Sequence, residues 1–139
     1  MSINLQLNSS VLIQGLDNPL ASAAIGRMQI CGTNIVGIVS AGQGGQVFGN
    51  LPIFDLVEQA QATLEPIETS LIFAPAYEVL DAALEAIAAG IPQLIIVTRG
   101  VPPLDMIRLL RQARISNTLI LGSGSAGIII PDQLLLGIY

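Results

Sequence analysis

The sequence has no histidine, no lysine and no tryptophan, and it has a single cysteine among its 139 residues. The lack of histidine excludes imidazole acid–base catalysis, histidine-containing triads, phosphohistidine and histidine-ligated metals. One cysteine, Cys31, allows neither an internal disulfide nor a zinc site made of cysteines. We expect this thiol to be buried. A single buried cysteine fits a reducing compartment. No catalytic residue and no metal ligand is predicted.

Charge is scarce as well. Only 11% of the residues are charged, against about 25% in an average soluble domain. The net charge of -5 argues against a nucleic-acid partner, because such proteins need clustered cations. The stretch Met1–Phe54 contains just Asp17 and Arg27 as charged residues. So little surface charge predicts a covered surface, in a homo-oligomer or against a partner protein or domain.

Long apolar runs are absent too. None approaches the roughly 20 residues of a membrane helix, and residues 1–10 lack the basic start of a signal peptide. We therefore predict no membrane association and a cytoplasmic location. The length suits one domain, residues 1–139.

What the sequence does contain is an alternation of short apolar runs and segments with helical spacing. The predicted strands are Val11–Leu16, Ile35–Val39, Ser70–Ala74, Leu94–Thr98 and Thr118–Gly122. The predicted helices are Pro19–Cys31, Asp55–Leu64, Tyr77–Ala89 and Pro103–Ile115. Asn18 and Asp55 are the expected N-caps, and Pro19 and Pro103 suit a first helical turn. Ala41–Asn50 is expected to be a glycine-rich loop, and Ile128–Ile130 and Leu134–Tyr139 short extended segments.

Strands that alternate with helices indicate the α/β class, and continuous apolar strands indicate a sheet covered on both faces. We predict a single Rossmann-like domain with a doubly wound, mostly parallel sheet. Ligands of such folds bind beyond the carboxyl ends of the strands. The candidate loops are Gly15–Leu20, Ser40–Gly45, Phe73–Pro75, Thr98–Gly100 and Gly122–Gly127.

Seven stretches in and around these loops share a pattern with a known family. They are VLIQGL (11–16), GTNIVGIVSAGQGG (32–45), LPIF (51–54), FAPAY (73–77), LEAIAAGI (84–91), TRGVPPLDM (98–106) and LGSGSAGIIIP (121–131). Together they resemble the N-terminal, CoA-binding domain of the succinyl-CoA synthetase α subunit and of related ADP-forming acyl-CoA synthetases. The similarity follows the order of the chain and is nearly free of gaps.

The resemblance implies CoA as the ligand. It implies contacts from residues in four of the five candidate loops and from the residue just before the fourth: Gly15, Leu16, Asp17, Asn18, Pro19, Leu20, Ser40, Gln43, Phe73, Ala74, Pro75, Val97, Thr98 and Arg99. The family enzyme also uses a second domain with a phosphorylated histidine and a nucleotide-binding β subunit. Since this sequence has no histidine, the resemblance implies a CoA-binding part of a ligase that is not catalytic by itself.

Several loop residues depart from the family pattern. In the first turn, Asp17 brings a negative charge and Pro19 lacks an N–H, which favours a capped helix over an anion site. Gln43 stands where the family has a CoA-contacting lysine. Either Gln43 hydrogen-bonds a nucleotide in its place, or the loop is a glycine-rich turn without a ligand. Arg99 replaces an acidic residue, either as a substitute anion contact or as a solvated side chain. Gly124 replaces an asparagine, and the serines beside it lack a local base.

Two functions remain open. The first is a CoA-binding domain with weakened affinity for CoA or acyl-CoA. The second is a degenerate CoA-binding fold that serves as an oligomerisation or protein-interaction module. A self-sufficient enzyme is the least supported, because no acid–base pair, nucleophile or metal cluster can be assembled. Arg108, Arg111 and Arg114 recur on one helix, as a solvated face or as a docking patch for an acidic partner.

Overall fold

The computed structural model describes residues 9–64, 66–130 and 134–138. Its strands are β1 (Val11–Gln14), β2 (Ile35–Val39), β3 (Val47–Phe48), β4 (Leu51–Phe54), β5 (Thr69–Ile72), β6 (Gln93–Ile96), β7 (Leu119–Leu121), β8 (Gly127–Ile130) and β9 (Leu134–Gly137). Its α-helices are α1 (Pro19–Ile30), α2 (Val57–Thr63), α3 (Val79–Ala88) and α4 (Pro103–Ile115), and a short 3₁₀-helix, Ala76–Glu78, precedes α3.

Seven strands form one sheet in the order β3-β4-β2-β1-β5-β6-β7. All neighbours pair in parallel except β3 and β4, which are antiparallel. The chain runs outward from β1 through β2 to β4 and then returns to β5 on the other side of β1. The strand order therefore reverses between β1 and β5, which is where doubly wound sheets bind their ligands.

Helices cover both faces of this sheet. On one face, Ala24 and Met28 of α1 share a core with Leu135 of β9. On the other face, α2, α3 and α4 bury a second core around Ile72 and Ile96. Because both faces are buried, the central strands are mainly apolar, and their polar residues Gln14, Thr69, Ser70 and Gln93 are buried as well. The predicted α/β, Rossmann-like, doubly wound and mostly parallel architecture is confirmed.

The sequence-based prediction missed two strands. Within the predicted glycine-rich loop and just after it, β3 and β4 form a hairpin around the two-residue turn Gly49–Asn50. Pro52 lies in β4 and weakens the strand signal, yet β3 is an edge strand of only two residues, so a proline opposite it is tolerated. The extended segments near the carboxyl end are strands as expected, and they pair with each other as the separate β8–β9 hairpin.

Two further expectations require correction. Cys31 is exposed rather than buried, because the buried face of α1 ends at Met28 and the chain leaves the helix at Gly32, whose φ is 84°. The expected N-cap Asp55 is also wrong, since α2 begins at Val57 with Leu56 as its N-cap. Among the described residues, no helix is long and apolar enough to cross a membrane.

Candidate functional site

A cleft of about 590 Å³ opens at the point where the strand order reverses. It lies beyond the carboxyl ends of β1, β2 and β5, and the first turns of α3 form its far side. Its lining residues are Gln14, Gly15, Asp17, Asn18, Val39, Ser40, Ala41, Asp55, Phe73, Ala74, Pro75, Glu78, Asp81, Ala82 and Glu85. Its volume is in the range of small-molecule binding sites.

The back wall of the cleft depends on a glycine. Gly15 follows β1 with a φ of +99°, and a Cβ atom there would lie 2.7 Å from the backbone nitrogen of Ala74. The N–H of Phe73 donates to the carbonyl of Gln14 at 2.7 Å. The first turn thus packs directly against the end of β5, which only a residue without a side chain permits.

The floor of the cleft is a fixed polar network. The Gln14 side chain is buried; its Nε2 donates to the carbonyl of Ala82 at 3.0 Å. Its Oε1 accepts a 2.6 Å hydrogen bond from the Ser70 hydroxyl. Both ends of the amide are therefore occupied within the protein, and the network joins β1, β5 and α3 beneath the site.

The first turn is closed by a helix cap. Oδ1 of Asn18 accepts from the N–H of Leu20 at 2.9 Å, and Pro19 is the first residue of α1. The predicted N-cap is confirmed. One donor of the helix terminus is taken by Asn18, and the proline position has none to offer. Asp17 is exposed at the mouth of the cleft.

The glycine-rich loop is closed by a carboxylate. The N–H groups of Gly42 and Gly44 both donate to Oδ1 of Asp55, at 2.8 and 3.0 Å. A Cβ at Gly44 would lie 2.4 Å from Oδ2 of the same carboxylate, so the loop wraps closely around it. Converging backbone N–H groups of this kind form anion sites. Here the anion is a side chain of the protein itself.

The charges around the cleft all have one sign. Within the described part of the chain, no arginine lines the cleft. Five carboxylates line it: Asp17, Asp55, Glu78, Asp81 and Glu85. Two of these carboxylates have backbone partners. Besides the bonds of Asp55, Oε2 of Glu85 accepts a 2.6 Å hydrogen bond from the N–H of Val57. The resulting negative potential opposes the entry of an anion.

The structure brings half of the sequence-predicted site residues together on this cleft. They are Gly15, Asp17, Asn18, Ser40, Phe73, Ala74 and Pro75. The others do not line it: Leu16, Pro19, Leu20, Gln43, Val97, Thr98 and Arg99. For the lining and the non-lining residues alike, a role in ligand binding stays a prediction.

The residues off the cleft have structural surroundings of their own. Oε1 of Gln43 accepts a 2.6 Å hydrogen bond from the Ser40 hydroxyl, which keeps the amide within its loop. Val97 is buried in a core, and the Thr98 hydroxyl donates to the carbonyl of Ala74 at 2.5 Å. Arg99 is exposed beside Gly124, in a loop that does not line the cleft. That Arg99 supplies an anion contact in place of Gln43 stays a prediction.

Sequence reasoning missed the acidic wall. Glu78, Asp81 and Glu85 are spaced three and four residues apart, a pattern that places side chains on one side of a helix. That spacing was a usable signal for a shared face, but not for its orientation toward the cleft. Asp55 was assigned to a helix cap, and no pattern indicated its contact with the loop. Within the described residues, no group of three or more His, Cys, Asp or Glu side chains could hold a metal ion.

Comparison with known proteins decides the family. The sequence profile of the CoA binding domain matches residues 7–100. This chain belongs to the CoA-binding domain family. The assignment confirms the resemblance found in the loop motifs, and CoA is the ligand for which the family is named.

Curated relatives of this CoA-binding domain are ligase subunits. The α subunit of ADP-forming succinate–CoA ligase from Staphylococcus aureus is 33% identical over 138 residues, which is 99% of this chain and 45% of the relative. Subunit α 1 of the same ligase from Archaeoglobus fulgidus is 34% identical over 131 residues, 94% of this chain and 45% of the relative. The chain thus spans about half the length of these relatives.

Solved structures share the fold of this CoA-binding domain. ATP citrate lyase from Methanothrix soehngenii, in complex with citrate and coenzyme A, has a TM-score of 0.84 at 17% identity over 97% of this chain and 24% of that one. A dinucleotide-forming acetyl-coenzyme A synthetase from Ca. Korarchaeum cryptofilum has a TM-score of 0.75 at 17% identity, over 92% of this chain and 29% of that one. At such identities the likeness establishes the fold.

Proposed function

We propose that this domain binds CoA or acyl-CoA weakly in the cleft between β1, β2 and β5 and is not catalytic by itself. The observation that carries the proposal is the position of the cleft, at the reversal of strand order, with Gly15 packed against the end of β5. This is the ligand position of doubly wound sheets. The family assignment supplies the ligand class.

The residues of the cleft fit one part of CoA better than the other. Pro75, Ala41 and the half-buried Ala82 offer apolar contacts to an uncharged chain or a base. The other apolar residues of the lining, Phe73, Ala74 and Val39, are buried in the cores. The phosphates find five carboxylates and two backbone donors that are already bonded to Asp55. A missing charge-assisted hydrogen bond weakens binding by about 1.5–3 kcal/mol. This mismatch supports a weakened affinity.

A larger assembly supports the same proposal. The curated relatives are named as α subunits of a ligase, and this chain spans 45% of their length. We propose that the domain contributes its cleft to such a ligase, in which other domains or chains supply the catalytic groups. A cytoplasmic location, expected from the sequence, belongs to this proposal.

The test is calorimetric titration of the protein with CoA and acetyl-CoA at low salt. We expect saturable binding of one ligand per chain, with a dissociation constant in the micromolar range or weaker. Ala41 and Ala88 are both exposed, but only the former lines the cleft among the described residues. Ala41→Phe should therefore abolish binding, whereas Ala88→Phe should leave it unchanged. An absence of heat at millimolar ligand would contradict the proposal.

A second candidate function, self-association, is favoured by the outer face of α4. Among the described residues of this helix, no carboxylate is exposed. The exposed residues are Pro103, four large apolar residues and three arginines. The apolar ones are Leu104, Ile107, Leu110 and Ile115, and the arginines are Arg108, Arg111 and Arg114. The α3 side of the cleft carries the opposite charge, because Glu78, Asp81 and Glu85 line it there; we call it the acidic rim. We propose that α4 of one copy docks on the acidic rim of another.

Sedimentation at micromolar concentration tests this association. We expect a dimer or larger species that Arg111→Glu dissociates and the control Arg27→Glu, on exposed α1 surface, does not. An equimolar mixture of Arg111→Glu with Asp81→Arg should restore the complex, because the swapped charges again attract. A wild-type protein that sediments as a monomer would exclude self-association.

A further inference from the structure

The backbone donors of the glycine-rich loop are already satisfied. Oδ1 of Asp55 accepts from Gly42 and Gly44, and both N–H groups are within 3.0 Å of it. A phosphate oxygen would need these same donors, because they are the converging N–H groups of the loop. The Asp55 carboxylate thus has the place and the charge of a bound anion.

The surroundings make this occupation hard to reverse by an external anion. Asp17 and Asp81 line the same cleft, and the described lining has no arginine. An incoming phosphate would have to displace one carboxylate while facing others. An uncharged ligand needs no anion donor, and it meets the exposed apolar residues Pro75 and Ala41 of the lining.

We propose that Asp55 is a specificity-determining residue that excludes phosphate from the glycine-rich loop, so that the cleft recognises an uncharged pantetheine-type chain. The inference rests on the proposed function, since it assigns the part of CoA that the cleft binds. The phosphates of CoA remain outside the loop and contribute little to affinity. A free pantetheine chain therefore binds nearly as well as CoA.

The test compares three probes by calorimetry at low salt: pantetheine, CoA and inorganic diphosphate. Asp55→Ala frees both backbone donors and removes the charge. Asp55→Asn removes the charge and keeps an acceptor for the loop, and it guards against a failure of the alanine variant to fold. Glu58→Gln is the matched control, because Glu58 is an exposed carboxylate three residues away that does not line the cleft.

For the wild type we expect affinities for pantetheine and CoA within about threefold, and no measurable binding of diphosphate. Asp55→Ala should raise the affinity for CoA and for diphosphate about tenfold or more, which corresponds to about 1.4 kcal/mol. Asp55→Asn should give a smaller gain of the same sign. Pantetheine affinity should not change, and Glu58→Gln should behave as wild type.

The outcomes separate this inference from the proposed function. If no Asp55 variant gains affinity for diphosphate or CoA, Asp55 is not the excluding group, even where the wild type binds CoA. Wild-type binding of CoA a hundredfold tighter than pantetheine would also overturn the inference. If the wild type binds neither CoA nor pantetheine but Asp55→Ala acquires diphosphate binding, the proposed function fails and the role of Asp55 stands.

Discussion

The first turn and the glycine-rich loop follow neighbouring parallel strands and face the same cleft, yet they are held in different ways. Gly15 is fixed by backbone packing, since a Cβ there would lie 2.7 Å from Ala74. In the glycine-rich loop, a Cβ at Gly42 or Gly45 would have no atom within 4 Å. That loop is held by the carboxylate of Asp55 instead.

The difference separates what the fold requires from what the ligand meets. Changing the first turn disturbs the contact between β1 and β5 at the centre of the sheet, so the effect is on the free energy of unfolding. Changing the glycine-rich loop alters exposed backbone and one charge, so the effect is on binding. This domain can therefore keep its fold while the chemistry of its glycine-rich loop changes.

The largest effect is expected from Gly15→Ala. The new methyl group would be 2.7 Å from the nitrogen of Ala74, and the φ of +99° disfavours any side chain. Left-handed strain of about 1–2 kcal/mol and overpacking of about 1–3 kcal/mol combine to lower the free energy of unfolding by about 2–5 kcal/mol. Urea denaturation measures the change.

Gly42→Ala is the matched control for that variant. Gly42 also has a positive φ, of +84°, but open space around its Cβ position. It should lose only the conformational part, about 1–2 kcal/mol. Equal losses in the two variants would show that packing against β5 does not distinguish the two loops.

A smaller effect is expected at the helix cap of the first turn. Asn18→Ala removes the acceptor for the N–H of Leu20 and should lower the free energy of unfolding by about 1 kcal/mol. Asn18→Asp keeps an acceptor and should stay within about 0.5 kcal/mol of wild type. Thermal unfolding of both variants distinguishes a cap from a merely polar position. Equal melting temperatures for Asn18→Ala and Asn18→Asp would contradict the cap.

Sequence reasoning reaches furthest where local chemistry and fold agree. The apolar strands, the cap at Asn18 and the start of α4 at Pro103 are all predicted correctly, because each follows from spacing or from a residue with one favoured position. The hairpin of β3 and β4 is missed because glycines and Pro52 mask a two-residue strand. Gly49–Asn50 was a turn signal that could have revealed it.

The site was less predictable than the fold, for a physical reason. Aspartate is a common helix-capping residue. The position of Asp55 two residues before α2 therefore does not indicate that its carboxylate turns toward Gly42 and Gly44. Likewise, the orientation of Asp81 toward the cleft depends on how α3 packs on the sheet. The contact of Asp55 and the orientation of Asp81 both depend on residues distant in sequence, so no local spacing predicts them.

The smallest effect on stability is expected from Gly44→Ala. This variant is also the most direct probe of the glycine-rich loop. Its Cβ would lie 2.4 Å from Oδ2 of Asp55. Because Asp55 is exposed, its side chain can rotate away, and the freed N–H groups can bond to water. The free energy of unfolding should fall by less than about 1 kcal/mol.

The amide proton of Gly42 should nevertheless exchange with solvent several times faster than in the wild type, since its hydrogen bond to Asp55 is lost. The amide of Gly15, which bonds to the carbonyl of Val39, should keep its protection and serves as the internal reference. Exchange measured by NMR reports both amides in one sample. Unchanged exchange at Gly42, with an intact fold, would mean that packing rather than the Asp55 carboxylate holds this loop, and the contrast between the two loops would then disappear.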